Sequence, residues 1–289
     1  MKASYILPIV YVLLAPFLGG LLEGVDRKLS ARMQRRVGPP VLQPFYDVSK
    51  LFKKQVIMVS KSQTFLLLSY LILTVVTGAM FFFGTDILMC FFVLSTAATF
   101  LYFAAVVTSS PYSTIGANRE LIQMVAYEPA VLLACVGFYL ATGTFNISEI
   151  AVSKVSAIGY LPGFFIAFVF ILTIKMRKSP FDTSASHHPH QELVKGLTTE
   201  MGARNLALYT VAEWYENVFL LGVVGLFIIN SNPVSIAVAV LIVLLTYFLE
   251  VLIDNSSARM KWEDMLKLSW EVTLVAAGLN LIILMLLRQ

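Results

Sequence analysis

Apolar residues gather along this chain into runs of about 20, the length a helix needs to cross a hydrocarbon core of about 30 Å. Eight such runs are predicted to span a membrane, at about 3–22, 64–83, 87–108, 123–141, 158–174, 206–229, 233–253 and 269–287. An even number of crossings puts both termini on one side. The first run carries Pro8 and Pro16, which a span tolerates. It lacks a short apolar core followed by a small-residue cleavage site, so it reads as a retained span. No internal repeat, low-complexity tract or linker interrupts the pattern. The expectation is an all-α integral membrane protein, one polytopic bundle over residues 1–289.

Two of the polar segments between runs are long. In the first, residues 23–63, Leu42, Phe45, Tyr46, Phe52 and Val56 fall near one face of a helix beginning around Pro44, with Asp47, Lys50, Lys53 and Lys54 elsewhere. That is the pattern of a helix lying at the membrane interface. The second lies between the fifth and sixth runs. Its stretch KSPFDTSASHHPHQELVKGLTTE, Lys178 to Glu200, holds all three histidines of the chain and three of its 17 acidic residues.

Composition agrees with the runs. The chain is 58% hydrophobic and only 13% charged, against about a quarter charged in a soluble domain. Charge sets the orientation. Of 21 Lys and Arg, 18 fall in the segments after spans 1, 3, 5 and 7 and three on the other side, Lys2, Lys154 and Arg288. Positive residues concentrate in cytoplasmic loops, so both termini are predicted outside the cytoplasmic membrane. The net charge of +4 therefore serves topology and anionic lipid, and no nucleic-acid motif accompanies it. Cys90 and Cys135 both fall inside apolar runs, where a cysteine packs as a small apolar residue, and no C-x-x-C pair offers a metal or cluster site.

A carboxylate inside a span is expensive and is a functional candidate by default. Glu128, Glu213, Glu216 and Glu250 qualify. Glu213 and Glu216 are three apart, on one helix face with Tyr209. Gln123 and Tyr127 near Glu128 could be simple hydrogen-bond partners, and Glu250 sits four residues before Asp254, where it could simply reach the interface. Together these acids suggest a polar file entered from the cytoplasm. His187, His188 and His190, with Asp182 or Glu192, could be read as a metal site, but the H-H-P-H spacing lacks the i, i+4 register of helical metal pairs and Pro189 breaks regular structure. No metal is expected there. Polar lining of a loop, with imidazoles that titrate near neutrality, and a loop that touches a partner both stay open.

RMQRRVGP and LQPFYDVSKLFKK in the first loop, MVAYE in the fourth span, and SPFD, ELVKGLTTE and LALYTVAEWYE further on together resemble the complex I membrane subunit that anchors the peripheral arm, the NuoH family, over nearly the whole chain. The resemblance implies a subunit without a redox centre of its own. It also implies that the acids matching Glu128, Glu192, Glu200 and Glu213 line a coupling cavity. After the shared P-F-D, quinone-using members carry a shorter, more acidic segment, where this chain has TSASHHPHQ. The H-H-x-H-Q-E-L-V-K-G-L-T-T-E form looks like the corresponding subunit of energy-converting, Ech-type membrane-bound [NiFe] hydrogenases. That resemblance implies a ferredoxin-dependent hydrogen-evolving complex coupled to proton or sodium translocation. The partners would be hydrogenase large and small subunits, an iron–sulfur ferredoxin-like subunit and an antiporter-like membrane subunit, with the [NiFe] centre and iron–sulfur clusters held by them. The expected ion-coupling residues are Glu128, Glu192, Glu200, Glu213, Glu216 and Glu250. The junction with the hydrogenase module would use Asp182, His187, His188 and His190. The RRVGPP turn, with Arg35, Arg36, Gly38 and Pro39, is read as a docking platform, since its prolines stiffen the turn and its arginines can make charge-assisted bonds. A quinone-reducing dehydrogenase subunit, a stand-alone secondary transporter and a formate- or carbon monoxide-linked hydrogenase remain as alternatives.

Overall fold

The computed structural model describes residues 5–55, 60–185 and 194–287. In chain order the helices are α1 (Ile6–Met33), α2 (Gln43–Lys53), α3 (Lys61–Phe83), α4 (Ile87–Val106), α5 (Pro111–Thr142), the short α6 (Ile147–Ala151), α7 (Pro162–Lys175), α8 (Ala203–Leu226), α9 (Val234–Ser256), α10 (Trp262–Val272) and α11 (Leu279–Leu287). A π-helical stretch, Thr273–Gly278, joins the last two. The described residues contain no strand, only one isolated bridge between Asp86 and Asn146. The predicted interfacial helix is α2, with Pro44 in its first turn, where the missing N–H costs nothing.

Every predicted span falls on a helix, but the spans are not equal. Among the described residues, six helices are long and apolar enough to cross a membrane, the last of them running continuously from Trp262 to Leu286. The fifth predicted run falls on α7, whose 14 residues rise only about 21 Å. The sixth falls on α8, which carries Arg204, Glu213 and Glu216 and buries most of its side chains against its neighbours. By length and composition alone six described helices qualify, and the other two predicted runs, α7 and α8, form the polar-bearing interior of the bundle. On α9, by contrast, Val240, Leu241, Leu244 and Leu245 are exposed, as expected of a face turned to lipid.

Helix α8 packs against α1, α2, α3, α7 and α9, while α5 packs against α4, α7 and α10. The core between them is aromatic. Phe138, Phe164, Phe168, Phe219 and Phe227 are all at most 2% exposed, and Phe138 and Phe227 meet at a tilt of 46° with centroids 4.5 Å apart. Small residues on α1 allow close approach. A Cβ on Gly19 would lie 2.5 Å from the Trp214 side chain, and one on Gly24 would lie 1.8 Å from the carbonyl oxygen of Val41. That fit holds α8 and the turn before α2 against α1.

Two boundaries matter for the site. Helix α5 starts at Pro111, after Ser109 turns the chain with φ +56°, and not near residue 123. Glu120 is thereby brought inside the helix. Helix α7 ends at Lys175 with Arg177 in the left-handed region at φ +49°. The bonds Lys178 N→Thr173 O at 3.0 Å and Arg177 N→Ile174 O at 3.0 Å make this the cap that glycine usually supplies. An arginine there carries backbone strain of about 1 kcal/mol.

Candidate functional site

The strained cap delivers three cations in four residues, Lys175, Arg177 and Lys178, all less than 10% exposed. Arg177 sits between two acids. Its Nη2 donates to Glu120 Oε1 at 2.7 Å and its Nε to Glu120 Oε2 at 3.3 Å. Its Nη1 donates to Glu213 Oε1 at 2.9 Å. Burial opposes this charge, but the fields of Glu120, Tyr209 and Glu213 outweigh it and hold the guanidinium well above its usual pKa. Arg177 is a fixed cation.

Lys175 takes the next acid along α8. Its Nζ donates to Glu216 Oε1 at 2.9 Å and lies 4.3 Å from the centroid of the Tyr127 ring, a distance that permits a cation–π contact. The other oxygen of Glu216 accepts from the Tyr70 hydroxyl at 3.0 Å, and Glu213 accepts from Tyr209 at 2.6 Å. The Tyr70 and Tyr209 rings stack with centroids 6.5 Å apart. Two hydrogen-bonded groups, Glu120–Arg177–Glu213–Tyr209 and Tyr70–Glu216–Lys175, thus lie side by side along α8, in contact through the stacked rings of Tyr209 and Tyr70.

Both groups open on a cavity of about 1050 Å³ bounded by α1, α2, the α7–α8 segment, α8 and the end of α9. Seven acidic and seven basic residues line it, Glu213, Glu216, Lys175 and Arg177 among them. Its outer wall holds Glu23, which accepts from Trp214 Nε1 at 2.6 Å and pairs with Arg27, itself 2.8 Å from Asp47.

The residues singled out in the sequence distribute unevenly over this site. Glu213 and Glu216 stand at its centre. Asp182 is buried, pairs with Arg259 at 3.2 Å and lines the cavity. Glu250 is buried on α9 but does not line the cavity. Glu128 is half-buried on α5 and Glu200 half-buried before α8, and neither lines it. Gln123 and Tyr127, possible hydrogen-bond partners of Glu128 in the sequence, serve other groups. Gln123 Nε2 donates to Phe181 O at 2.6 Å and to Thr183 Oγ1 at 2.9 Å. Arg35 and Arg36 are exposed, and Arg36, Gly38 and Pro39 form part of the cavity rim. His187, His188, His190 and Glu192 lie outside the described residues.

Sequence reasoning missed Glu120, Lys175, Arg177 and Lys178. A signal existed for the first. Glu120, Gln123 and Tyr127 fall at i, i+3 and i+7, one face of a helix, from which Glu128 is turned about 80° relative to Glu120.

A family model described as NADH dehydrogenase matches residues 5–285. Hydrogenase-4 component C of Escherichia coli (strain K12) is 27% identical over 281 residues, covering 87% of this chain and 85% of the relative. NADH-ubiquinone oxidoreductase chain 1 of Mycosarcoma maydis is 30% identical over 300 residues, covering 90% and 89%. The solved structure of a membrane-bound sulfane sulfur reductase, an archaeal respiratory membrane complex, contains a chain that superposes with a TM-score of 0.85 at 22% identity, covering 97% of this chain and 99% of the other. The fold is shared with that chain.

Proposed function

Because the chain belongs to the NADH dehydrogenase family, together with NADH-ubiquinone oxidoreductase chain 1, we propose that it anchors and couples a multisubunit, ferredoxin-dependent, hydrogen-evolving [NiFe] hydrogenase. In this reading electrons pass in the partner subunits, and this chain links their passage to proton or sodium translocation. The basic end of the bundle faces the cytoplasm, by the 18-to-3 division of positive residues.

The observation that carries the reading is the charge count of this cluster, whose members are buried apart from Glu213, half-buried at the cavity. It holds three carboxylates, Glu120, Glu213 and Glu216, and two cations, Lys175 and Arg177. Five ionised groups would leave one negative charge in excess at a site where unpaired charge is expensive. Such a cluster binds one proton or one small cation as a unit. Arg177, shared between Glu120 and Glu213, can tighten on either. Tyr209 and Tyr70 hold Glu213 and Glu216 through their hydroxyls, and water of the cavity that both acids line can carry the excess proton between them. The cavity supplies its connection to water.

Hydrogenase-4 component C supports the hydrogenase assignment, and NADH-ubiquinone oxidoreductase chain 1 supports a quinone-linked alternative. The wall of the cavity favours the first. Small-molecule sites are predominantly apolar, whereas fourteen of the residues lining this one are charged.

Replacing both acids of α8, Glu213→Gln with Glu216→Gln, keeps size and removes the titratable charge. In sealed vesicles the gradient formed per hydrogen evolved should fall several-fold, while evolution from reduced ferredoxin in detergent survives. An unchanged ratio and rate would sink the coupling role. Purification of the chain with quinone-reducing partners, without nickel, would replace the hydrogenase by the respiratory alternative.

A further inference from the structure

Glu250 is wholly buried on α9, at 0% exposure, and neither of its carboxyl oxygens has a hydrogen-bond partner among the described residues. Its neighbours one turn away on either side are partnered. The Tyr247 hydroxyl donates to Leu22 O at 2.9 Å, and Asp254 Oδ1 accepts from Ser179 N at 2.8 Å. Around it, Tyr247 and Val251 pack with Leu22 and Leu29 of α1, Leu221 of α8 and Met176 at the end of α7, a dry and apolar setting. The charged groups whose fields reach it are Lys178 and Asp254. Lys178 is itself buried. Its Nζ lies 2.5 Å from Asp26 Oδ2 and 5.4 Å from the centroid of the Tyr247 ring.

One cation thus stands among three carboxylates, and only Asp26 holds it. Asp26, Asp254, Tyr247 and Lys178 all line the cavity, while Glu250 lies behind them. An ionised carboxylate without a donor in such a place costs several kcal/mol. A neutral carboxyl costs far less.

We propose that Glu250 is a proton-holding site whose protonation chooses the partner of Lys178. With the proton on Glu250, Lys178 pairs with Asp26, as in this structure. When water of the cavity penetrates past Asp254 and Lys178, which line it, and takes the proton as the Glu250 O–H bond breaks, Lys178 remains an ammonium and exchanges Asp26 for the new carboxylate. Asp26, facing the cavity, is left hydrated. Lys178 adjoins Arg177, so the exchange pulls on the cap that places Arg177 between Glu120 and Glu213. The device deepens the proposed coupling role, but it needs neither hydrogenase nor ion gradient to be detected.

The test is infrared difference spectroscopy of the purified complex at neutral pH. Subtracting Glu250→Gln from wild type should reveal the carbonyl band of one protonated carboxyl. In Asp26→Asn, with Glu250 still present, Lys178 turns to Glu250 and that band should vanish. Adding Lys178→Met to Asp26→Asn removes the competing cation and should restore it. Absence of the band in the first subtraction, or its persistence in Asp26→Asn, overturns the proposal. A separate measurement does not depend on spectra. Glu250→Leu replaces a neutral, unpartnered group by an apolar one and should assemble with unaltered thermal stability. A large loss of stability there would mark Glu250 as an ion-paired carboxylate and refute the scheme. Failure of the gradient experiment with an intact band pattern would reject coupling and leave the switch standing.

Discussion

Replacing Lys175 by Met separates a buried ion pair from a surface charge that only sets topology. The Lys175 and Glu216 side chains are 6% and 7% exposed and 2.9 Å apart. Methionine keeps the length of the stem and deletes the cation, leaving Glu216 with the Tyr70 hydroxyl as its remaining donor. Removing one partner of a buried pair costs about 3–5 kcal/mol, a fall in the folding equilibrium of roughly two to three and a half powers of ten. Removing both, as Lys175→Met with Glu216→Leu, eliminates the stranded charge and leaves only the Tyr70 hydroxyl without its acceptor, at about 1–3 kcal/mol. The double variant should therefore be more stable than Lys175→Met alone, and the non-additivity gives the pair energy. Unfolding of the purified chain in mixed micelles with increasing dodecyl sulfate can be followed by tryptophan emission, since Trp214 lies in the core. A single variant within about 1 kcal/mol of wild type, the worth of an exposed pair, would show that Lys175 is not held as described. A double variant no better than the single would refute the stranded-charge argument itself.

Two further outcomes are expected. Gly24→Val places side-chain atoms where a Cβ alone would be 1.8 Å from Val41 O, so α2 should lift from α1, seen as rapid proteolysis between residues 34 and 55 in a chain that still inserts. Val37→Cys, Val194→Cys and Lys261→Cys, all at exposed positions, should react with an impermeant thiol reagent in inside-out vesicles and not in intact cells; labelling from outside would reverse the orientation.

Much of the fold was legible because lipid imposes a simple rule. A run of about 20 apolar residues has few other uses, and each predicted run fell on a helix. Pro44 likewise marked the start of α2, since proline fits a first helical turn better than any later one. The limits of the rule appear at α7 and α8, where a short helix and a polar one are carried by neighbours that the sequence does not identify. The site was half legible. Glu213 and Glu216 could be found from the cost of a carboxylate within an apolar run. Glu120 is marked only by the helix face it shares with Gln123 and Tyr127, because an apolar window opens α5 at 123, and the turn at Ser109 that extends the helix to Pro111 has no hydropathy signature. Glu128 satisfied the same cost argument and lies on another face.

The cations were hidden for a different reason. Lys175, Arg177 and Lys178 fall at the border of an apolar run, where a positive residue is ordinarily an exposed orientation signal, and they count among the 18 on the basic side. Whether such a residue turns outward to water or inward to an acid depends on acids more than thirty residues away, Glu120, Glu213, Glu216 and Asp26. One local feature records the inward choice. A left-handed arginine cap is unfavourable where glycine would serve, and strain of this kind persists when surrounding contacts over-determine it. Here the contacts are three charge-assisted bonds from one guanidinium to two helices. The cap fixes the directions of its neighbours as well. Lys175 leaves the last helical turn toward Glu216, and Lys178, beyond the reversal, leaves toward Asp26. Four consecutive residues thus tie the central acids to the α1–α9 junction through a single short backbone segment. In the proposed exchange a change of partner at Lys178 bears on Arg177 and Lys175 through this backbone segment, and by linkage the reverse holds equally.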